Sequence, residues 1–300
     1  MSALPRHIYP FTPKRLKVNG FELSYLDEGP EEGPITVMVH GNPTWSIYYR
    51  RVVESVVARG GRALVIDHIG CGHSEKPSAE RYPYTLSRRV ADLAEWLKLI
   101  GVSARPFNLV VHDWGGAIGF GYASQPEVRD RLRRMVVLNT AAFHIPGDKR
   151  LPPTLKLGRD SRLGQWLIQG VNAFSGLATR WACVTPMSKE LRQAYTSPYN
   201  SWANRVATHR FVKDIPLEPG DPAFEMISQT QANLSALTEK PMLIGWGMRD
   251  FVFDHTFLSV WRTRFPNAEV HAYEDAGHYI LEDKATELTP LITDFLCAES

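Results

Sequence analysis

An apolar run from Asn108 to Val111 leads through His112 into Asp113, and Trp114, Gly115 and Gly116 follow at once. A strand that stops at a charged residue and restarts as a helix over small residues is the pattern of a nucleophile elbow, which holds one side chain exposed on a sharp turn. The usual form is G-x-S-x-G; here Val111 stands two positions ahead and an aspartate takes the nucleophile position. A carboxylate cannot form the acyl ester that serine forms, but it can attack an alkyl carbon and displace a leaving group, giving an alkyl ester. An aspartate at a helix start can also be a simple N-cap, a role that would not require the Trp-Gly-Gly that follows.

Partners for Asp113 occur in a telling order. Gly245 to Asp250 carries an acid just past one apolar run, and Glu274 to His278 carries a histidine just past the next. Nucleophile, acid and histidine thus follow the chain order Ser…Asp/Glu…His, with Asp113 in first place. His278 is positioned to accept a proton or activate water, and Asp250 to fix its tautomer and stabilise the imidazolium. A fourth segment, His40-Gly41-Asn42-Pro43, follows the apolar run Ile35 to Val39 and occupies the place of an oxyanion loop. Backbone N–H groups of Asn42 and Trp114 are expected above Asp113. The Asn42 amide and Trp114 indole add donors for a departing anion such as halide or carboxylate. His40 reads as structural. The loop Asp67 to Ser74 lacks the Gly-Lys-Ser/Thr ending of a phosphate loop, and Cys71 has no elbow, so it reads as a tight turn.

The elements needed to present these residues alternate along the chain. Phe21 to Asp27, Ile35 to Val39, Ala63 to Ile66, Leu109 to Val111 and Met135 to Leu138 read as strands. Ser46 to Arg59, Thr85 to Leu99 and Gly115 to Ser124 read as the helices between them. In the second of these, Leu86, Val90, Leu93, Ala94 and Leu97 form the apolar face, with Arg88, Arg89, Asp92, Glu95 and Lys98 on the surface. Short strands joined by helical crossovers imply an α/β fold with a mostly parallel sheet, where ligands sit beyond the strand C-terminal ends. After Asn139 the alternation stops. Proline-broken helical fragments rich in aromatic residues run from about Phe143 to Gln231, and strands return at Met242 to Gly245 and Glu269 to Tyr273, each followed by a helix (Asp254 to Phe265, Lys284 to Phe295). The expected organisation is a core in two parts, 1–142 and 232–300, interrupted by a helical cap, 143–231.

Composition narrows the function classes. The 300 residues carry 34 Lys and Arg against 32 Asp and Glu, a balance that points to no nucleic-acid partner. No apolar stretch is long enough for a transmembrane segment, and the three prolines between Met1 and Pro13 are unlike a signal peptide, so a cytoplasmic protein is expected. Cys71, Cys183 and Cys297 are odd in number and widely spaced, which suits reduced thiols and neither a disulfide framework nor a metal cage.

Together these motifs resemble the α/β-hydrolases, in particular the haloalkane dehalogenase branch: Asp113-Trp114, Asn42, Asp250 and His278 look like its nucleophile, anion-binding pair, acid and base. Asn139 occupies the strand end where another subgroup carries its acid. Further segments, among them His40 to Ser46, Leu138 to Phe143, Asn172 to Ser175, Ser197 to Trp202, Asp214 to Leu217 and Gly245 to Asp254, are similar to the β-lactone decarboxylases of bacterial long-chain olefin biosynthesis. That resemblance implies conversion of a cis-3,4-dialkyl β-lactone into a cis-alkene and carbon dioxide, without organic cofactor or metal. It also implies a hydrophobic small-molecule substrate with long alkyl chains and association with the enzyme that makes the lactone. Phe143, Phe174, Tyr199, Trp202 and Phe211 are the expected pocket lining. A haloalkane dehalogenase is the alternative, a non-catalytic binding protein on the same fold the third reading. An epoxide hydrolase would need paired cap tyrosines, for which Tyr195 and Tyr199 are available.

Overall fold

The computed structural model describes residues 4–147 and 149–298, so the expected outer limits of the core, 1 and 300, lie outside them. Eight strands form one sheet: β1 (Lys14–Val18), β2 (Phe21–Glu28), β3 (Ile35–Val39), β4 (Arg62–Asp67), β5 (Phe107–Asp113), β6 (Leu132–Thr140), β7 (Met242–Gly247) and β8 (Glu269–Tyr273). Their spatial order is β1-β2-β4-β3-β5-β6-β7-β8. β2 runs antiparallel to both β1 and β4, and every other pairing is parallel. β1 escapes the sequence reading because three of its five residues are Lys14, Arg15 and Lys17 and only Leu16 and Val18 face the core, as suits an edge strand.

The central strands β3, β4 and β5 are buried along their whole length, which is why they read as continuous apolar runs. Alternate residues enter opposite cores. Val37, Val39, Leu64, Ile66, Leu109 and Val111 join one cluster, while Met38, Ala63, Val65 and Val110 join the other. The first face is covered by α2 (Leu86–Leu99) and α3 (Trp114–Ala123), the second by α1 (Arg50–Ala58) and the C-terminal α12 (Ala285–Cys297). Thr85 caps α2 by accepting the Arg88 N–H. Two α2 residues expected on the surface are buried, Arg89 at 1% and Asp92 at 3% exposure. Asp92 accepts from Asn19, Tyr82 and Arg88, and Arg89 lies flat over the Phe211 ring, 3.6 Å from its centroid. Arg89 is thus covered by Phe211 of the insertion, and Asp92 by the turn after β1 and the segment before α2.

That insertion leaves β6 and returns at β7 through α4 (Pro153–Asp160), α5 (Arg162–Gln169), α6 (Ala173–Trp181), α7 (Lys189–Thr196), α8 (Val206–Lys213) and α9 (Phe224–Asn233). Among its described residues there is no strand. After β7 come α10 (His255–Arg264), β8, the single turn α11 (Ile280–Asp283) and α12. Among the described residues no helix is long and apolar enough to cross a membrane.

Candidate active site

Asp113 ends β5 and precedes α3 with φ +52° and ψ −127°, a conformation that costs a residue with a side chain of order 1–3 kcal/mol. The surroundings hold it there. The Thr140 hydroxyl donates to the Asp113 carbonyl oxygen. A side chain at Gly115 would collide with the Val39 carbonyl, and one at Gly41 with the Asp113 carboxylate itself. These glycines are therefore required by close approach of β3, its loop and α3, which brings the elbow against the Asn42 loop.

Four strand ends meet around this carboxylate. The Asn42 N–H, just past β3, donates to Asp113 Oδ1 at 2.6 Å. His278, past β8, places Nε2 3.5 Å from Asp113 Oδ2 and Nδ1 2.7 Å from Asp250 Oδ2. Asp250, past β7, is anchored in turn: Oδ1 accepts the Val252 and Phe253 N–H groups at 2.7 and 3.1 Å, and Oδ2 also accepts the Asn139 amide at 3.0 Å. Asn139, from the end of β6, completes its own set by exchanging two bonds with the Gly247 backbone. So Asp113, Asp250 and His278 are brought together as expected, and Asn139 joins them as the residue that orients Asp250.

Electrostatics fix the charge of this group. Burial of the His278 ring opposes ionisation, but the Asp250 and Asp113 carboxylates on its two nitrogens prevail and push its pKa up to about 10. The imidazolium is thus held between two acids, with Phe253 stacked 5.8 Å from the ring at 16°. His112, beneath it, donates to the His278 carbonyl at 2.8 Å; burial and then the His278 charge hold it well below the usual histidine range, so it is neutral. His40 is fully buried, donating from Nδ1 to the Gly41 carbonyl and accepting the His68 N–H; it holds the loop and takes no part in the pocket. Burial pushes the Cys71 thiol up to about 11, which removes it as a nucleophile.

Asn42 and Trp114 both line the cavity above Asp113. One Asn42 amide N–H is committed to the Thr208 carbonyl of α8 at 3.0 Å, which orients the side chain and leaves its second N–H for a ligand. The Trp114 indole N–H has no partner among the described residues, and its ring packs 5.6 Å from Phe211. Helix α8 thereby braces both donors, a role that Thr208 fills through its backbone and that no side-chain pattern announces.

The cavity has a volume of about 340 Å³ and lies between the strand ends and the insertion. Phe143 and Phe174 line it as expected. Tyr199, Trp202 and Phe211 do not. Tyr199 is fully buried with its hydroxyl on the Thr44 carbonyl, Trp202 is 48% exposed on the outside, and Phe211 is sandwiched between Arg89 and Trp114. Most of the lining is aliphatic, including Leu155, Leu167, Ile168, Leu177 and Ile227. Nor does the tyrosine pair of an epoxide hydrolase face the pocket: Tyr195 donates to Glu282 at 2.5 Å, away from it.

Residues 34–285 match the family model described as alpha/beta hydrolase fold. The chain is 48% identical over 291 residues to the cis-3-alkyl-4-alkyloxetan-2-one decarboxylase of Shewanella oneidensis, covering 96% of this chain and 89% of that protein. It is 45% identical to the protein of the same name from Xanthomonas campestris pv. campestris, covering 96% and 97%. In structure it resembles the haloalkane dehalogenase DatA from Agrobacterium tumefaciens, with a TM-score of 0.82 over 95% of this chain and 96% of the other at 24% identity. With a haloalkane dehalogenase of Mycolicibacterium paratuberculosis 33% identical over 95% of this chain and 92% of that protein, the chain belongs to the α/β-hydrolase fold family, among its haloalkane dehalogenase-like members.

Proposed function

We propose that this protein is a decarboxylase of cis-3-alkyl-4-alkyloxetan-2-ones, releasing a cis-alkene and carbon dioxide in long-chain olefin biosynthesis. The observation that supports it most is the 45–48% identity, over nearly the full length, to two proteins bearing that activity in their names, in a chain that retains a strained aspartate facing an apolar cavity. In this reading Asp113 is the nucleophile, His278 the cationic partner, Asp250 its orienting acid, and Asn42 and Trp114 the leaving-group donors.

The chemistry follows from these roles. An Asp113 oxygen bonds to the ring C4 with inversion, the C4–O1 bond breaks, and the ring oxygen leaves as a carboxylate that Asn42 and Trp114 hold. The bond from C3 to that carboxylate then breaks, carbon dioxide departs, and the electron pair forms the C3–C4 double bond as the C4–O bond to Asp113 breaks. Inversion followed by anti elimination keeps the alkene cis. No water and no proton is consumed, so His278 can remain an imidazolium throughout and stabilise the carboxylate of Asp113 as it returns. This matches a histidine held protonated between two acids better than it matches a free base. The protein would work in the cytoplasm beside the enzyme that closes the lactone ring.

The test is to offer purified protein a cis-dialkyl β-lactone and, separately, a panel of haloalkanes. Alkene and carbon dioxide from the first with no halide from the second is the expected result. Halide release without alkene would make it a dehalogenase, and absence of any turnover would leave a binding protein.

A further inference from the structure

Among the described residues, ten large apolar side chains are notably exposed, and eight of them belong to the insertion. Leu157, Leu177, Trp181 and, from the loop after β7, Phe251 are 41%, 36%, 69% and 52% exposed and at the same time line the active-site cavity. The cavity mouth is therefore framed mainly by apolar side chains, with Arg150 and Thr154 the exposed polar members of the lining. On α5, Leu163 lies one turn before the pocket-lining Leu167, and Leu163 and Trp166 are 57% and 51% exposed without lining the cavity themselves. A monomeric surface seldom leaves so contiguous an apolar rim uncovered.

Charge says what covers it. From Ser161 to Lys189, the stretch holding α5 and α6, there is no Asp or Glu, while Arg162, Arg180 and Lys189 are present. All three are exposed, and Arg162 and Arg180 make no ion pair among the described residues. Exposed indoles and leucines with unpaired arginines between them are the composition of a surface that sits in the headgroup layer of a bilayer, rings and leucines inward and guanidinium groups on lipid phosphate. We propose that the outer faces of α5 and α6, with the cavity mouth between them and Phe251, dock on anionic phospholipid membranes. Docking there would let alkyl chains pass from the bilayer to Asp113 without crossing water. That last point rests on the proposed activity; docking itself does not.

The test measures binding without substrate, so its failure is separate from failure of the decarboxylase reading. Full-length protein is sedimented with vesicles of phosphatidylcholine containing about a third phosphatidylglycerol, and with phosphatidylcholine alone, at low and high salt. Expected is co-sedimentation with the anionic vesicles at low salt, weakened by high salt and by removing phosphatidylglycerol. The double variants Leu163→Ser/Trp166→Ser and Arg162→Glu/Arg180→Glu should each lower the partition coefficient at least about tenfold, while both keep wild-type circular dichroism and wild-type turnover of a short-chain, water-soluble lactone. The charge variant leaves the apolar contacts of α5 and α6 intact, so it serves if the apolar one does not fold. Absence of co-sedimentation at low salt, equal binding to neutral vesicles, or binding indifferent to both variants would overturn the proposal. So would light scattering that shows a wild-type dimer made monomeric by Leu163→Ser/Trp166→Ser, which would assign the surface to a second copy of the chain.

Discussion

Asp250 at the end of β7 accepts four hydrogen bonds, from two backbone N–H groups, Asn139 and His278, whereas Phe174, Leu155 and Ile168 on the far wall of the same cavity hold their places by packing. The two halves of the site are thus built from different forces. At the strand ends, parallel registration fixes the backbone and Asp250, Asn139 and His278 are held by directed hydrogen bonds, so a small displacement costs a whole hydrogen bond. On the insertion side, short helices such as α4, α5 and α8, of eight residues each, offer apolar surface whose contacts weaken gradually as shape changes. On the proposed activity, chemistry belongs to the first half and selectivity to the second, and substitutions should divide accordingly.

The sharpest division is expected at Asp113. Asp113→Ala removes the bonding atom of the proposed reaction and should lower kcat/KM at least ~10⁴-fold, while it keeps the Cβ and leaves the protein folded; a turnover assay paired with thermal unfolding checks both. Wild-type-like rates would remove the elbow from the chemistry. Next, Asn42→Ala and Trp114→Phe each delete one donor to the leaving carboxylate and should cost about 10²–10³-fold in kcat. If neither variant slows the reaction, the anion is held by the insertion side and the division fails.

The histidine separates the water-free route from hydrolysis. With lactone as substrate, His278→Gln should slow alkene formation by about 10²-fold, short of the ~10⁴-fold loss that follows when a triad's general base is disabled, and intact-protein mass spectrometry should find no persistent adduct. A stable adduct on Asp113 without alkene would return the reading to hydrolysis. The raised pKa adds a pH signature. Because His278 titrates near 10 in the folded protein against an ordinary 6.5, its ion pairs contribute stability fully below about pH 6.5, and that contribution is lost as pH rises through about 10. The stability difference between wild type and His278→Gln should therefore shrink from neutral pH to pH 10, read by denaturant unfolding at each pH.

The same division governs what is legible in the sequence. Asp113, Asp250, His278 and Asn42 were legible because each ends or follows an apolar run whose backbone position the parallel sheet dictates. Asn139 ends β6 in the same way, so its place was visible, but its bonds to Asp250 and Gly247 depend on a meeting of β6 with β7 across a hundred residues of insertion. The insertion offered no such registration. Its helices are short and proline-broken, and an aromatic side chain there packs inward, outward or into the cavity according to tertiary contacts that leave no period in the sequence. Hence Phe143 and Phe174 face the cavity while Tyr199, Trp202 and Phe211 do not. Arg89 and Asp92 are buried against expectation because helical periodicity marks a polar face and cannot tell water from an overlying helix, as at Arg89, or a neighbouring loop, as at Asp92.

The smallest effects should fall on the residues that sequence placed in the pocket and structure places outside it, compared with one inside. Phe143 packs against Phe257 and Trp261 and also lines the cavity, so Phe143→Ala should enlarge the pocket at its inner wall. It should shift the preferred alkyl length upward and change kcat/KM between short and long lactones by about 10-fold, with each matched methylene contributing about 0.8 kcal/mol. Tyr199→Phe removes the hydroxyl that donates to the Thr44 carbonyl at 3.1 Å and meets the Cys71 thiol in a dry environment, which should cost about 1 kcal/mol of stability and leave the chain-length profile unchanged. Comparing the two variants over a series of lactones is a direct measure of where the selective wall lies. A chain-length shift in Tyr199→Phe equal to that of Phe143→Ala would mean that the loop carrying Thr44, and not the aliphatic wall, sets the pocket's reach. It would place selectivity on the strand-end half of the site after all.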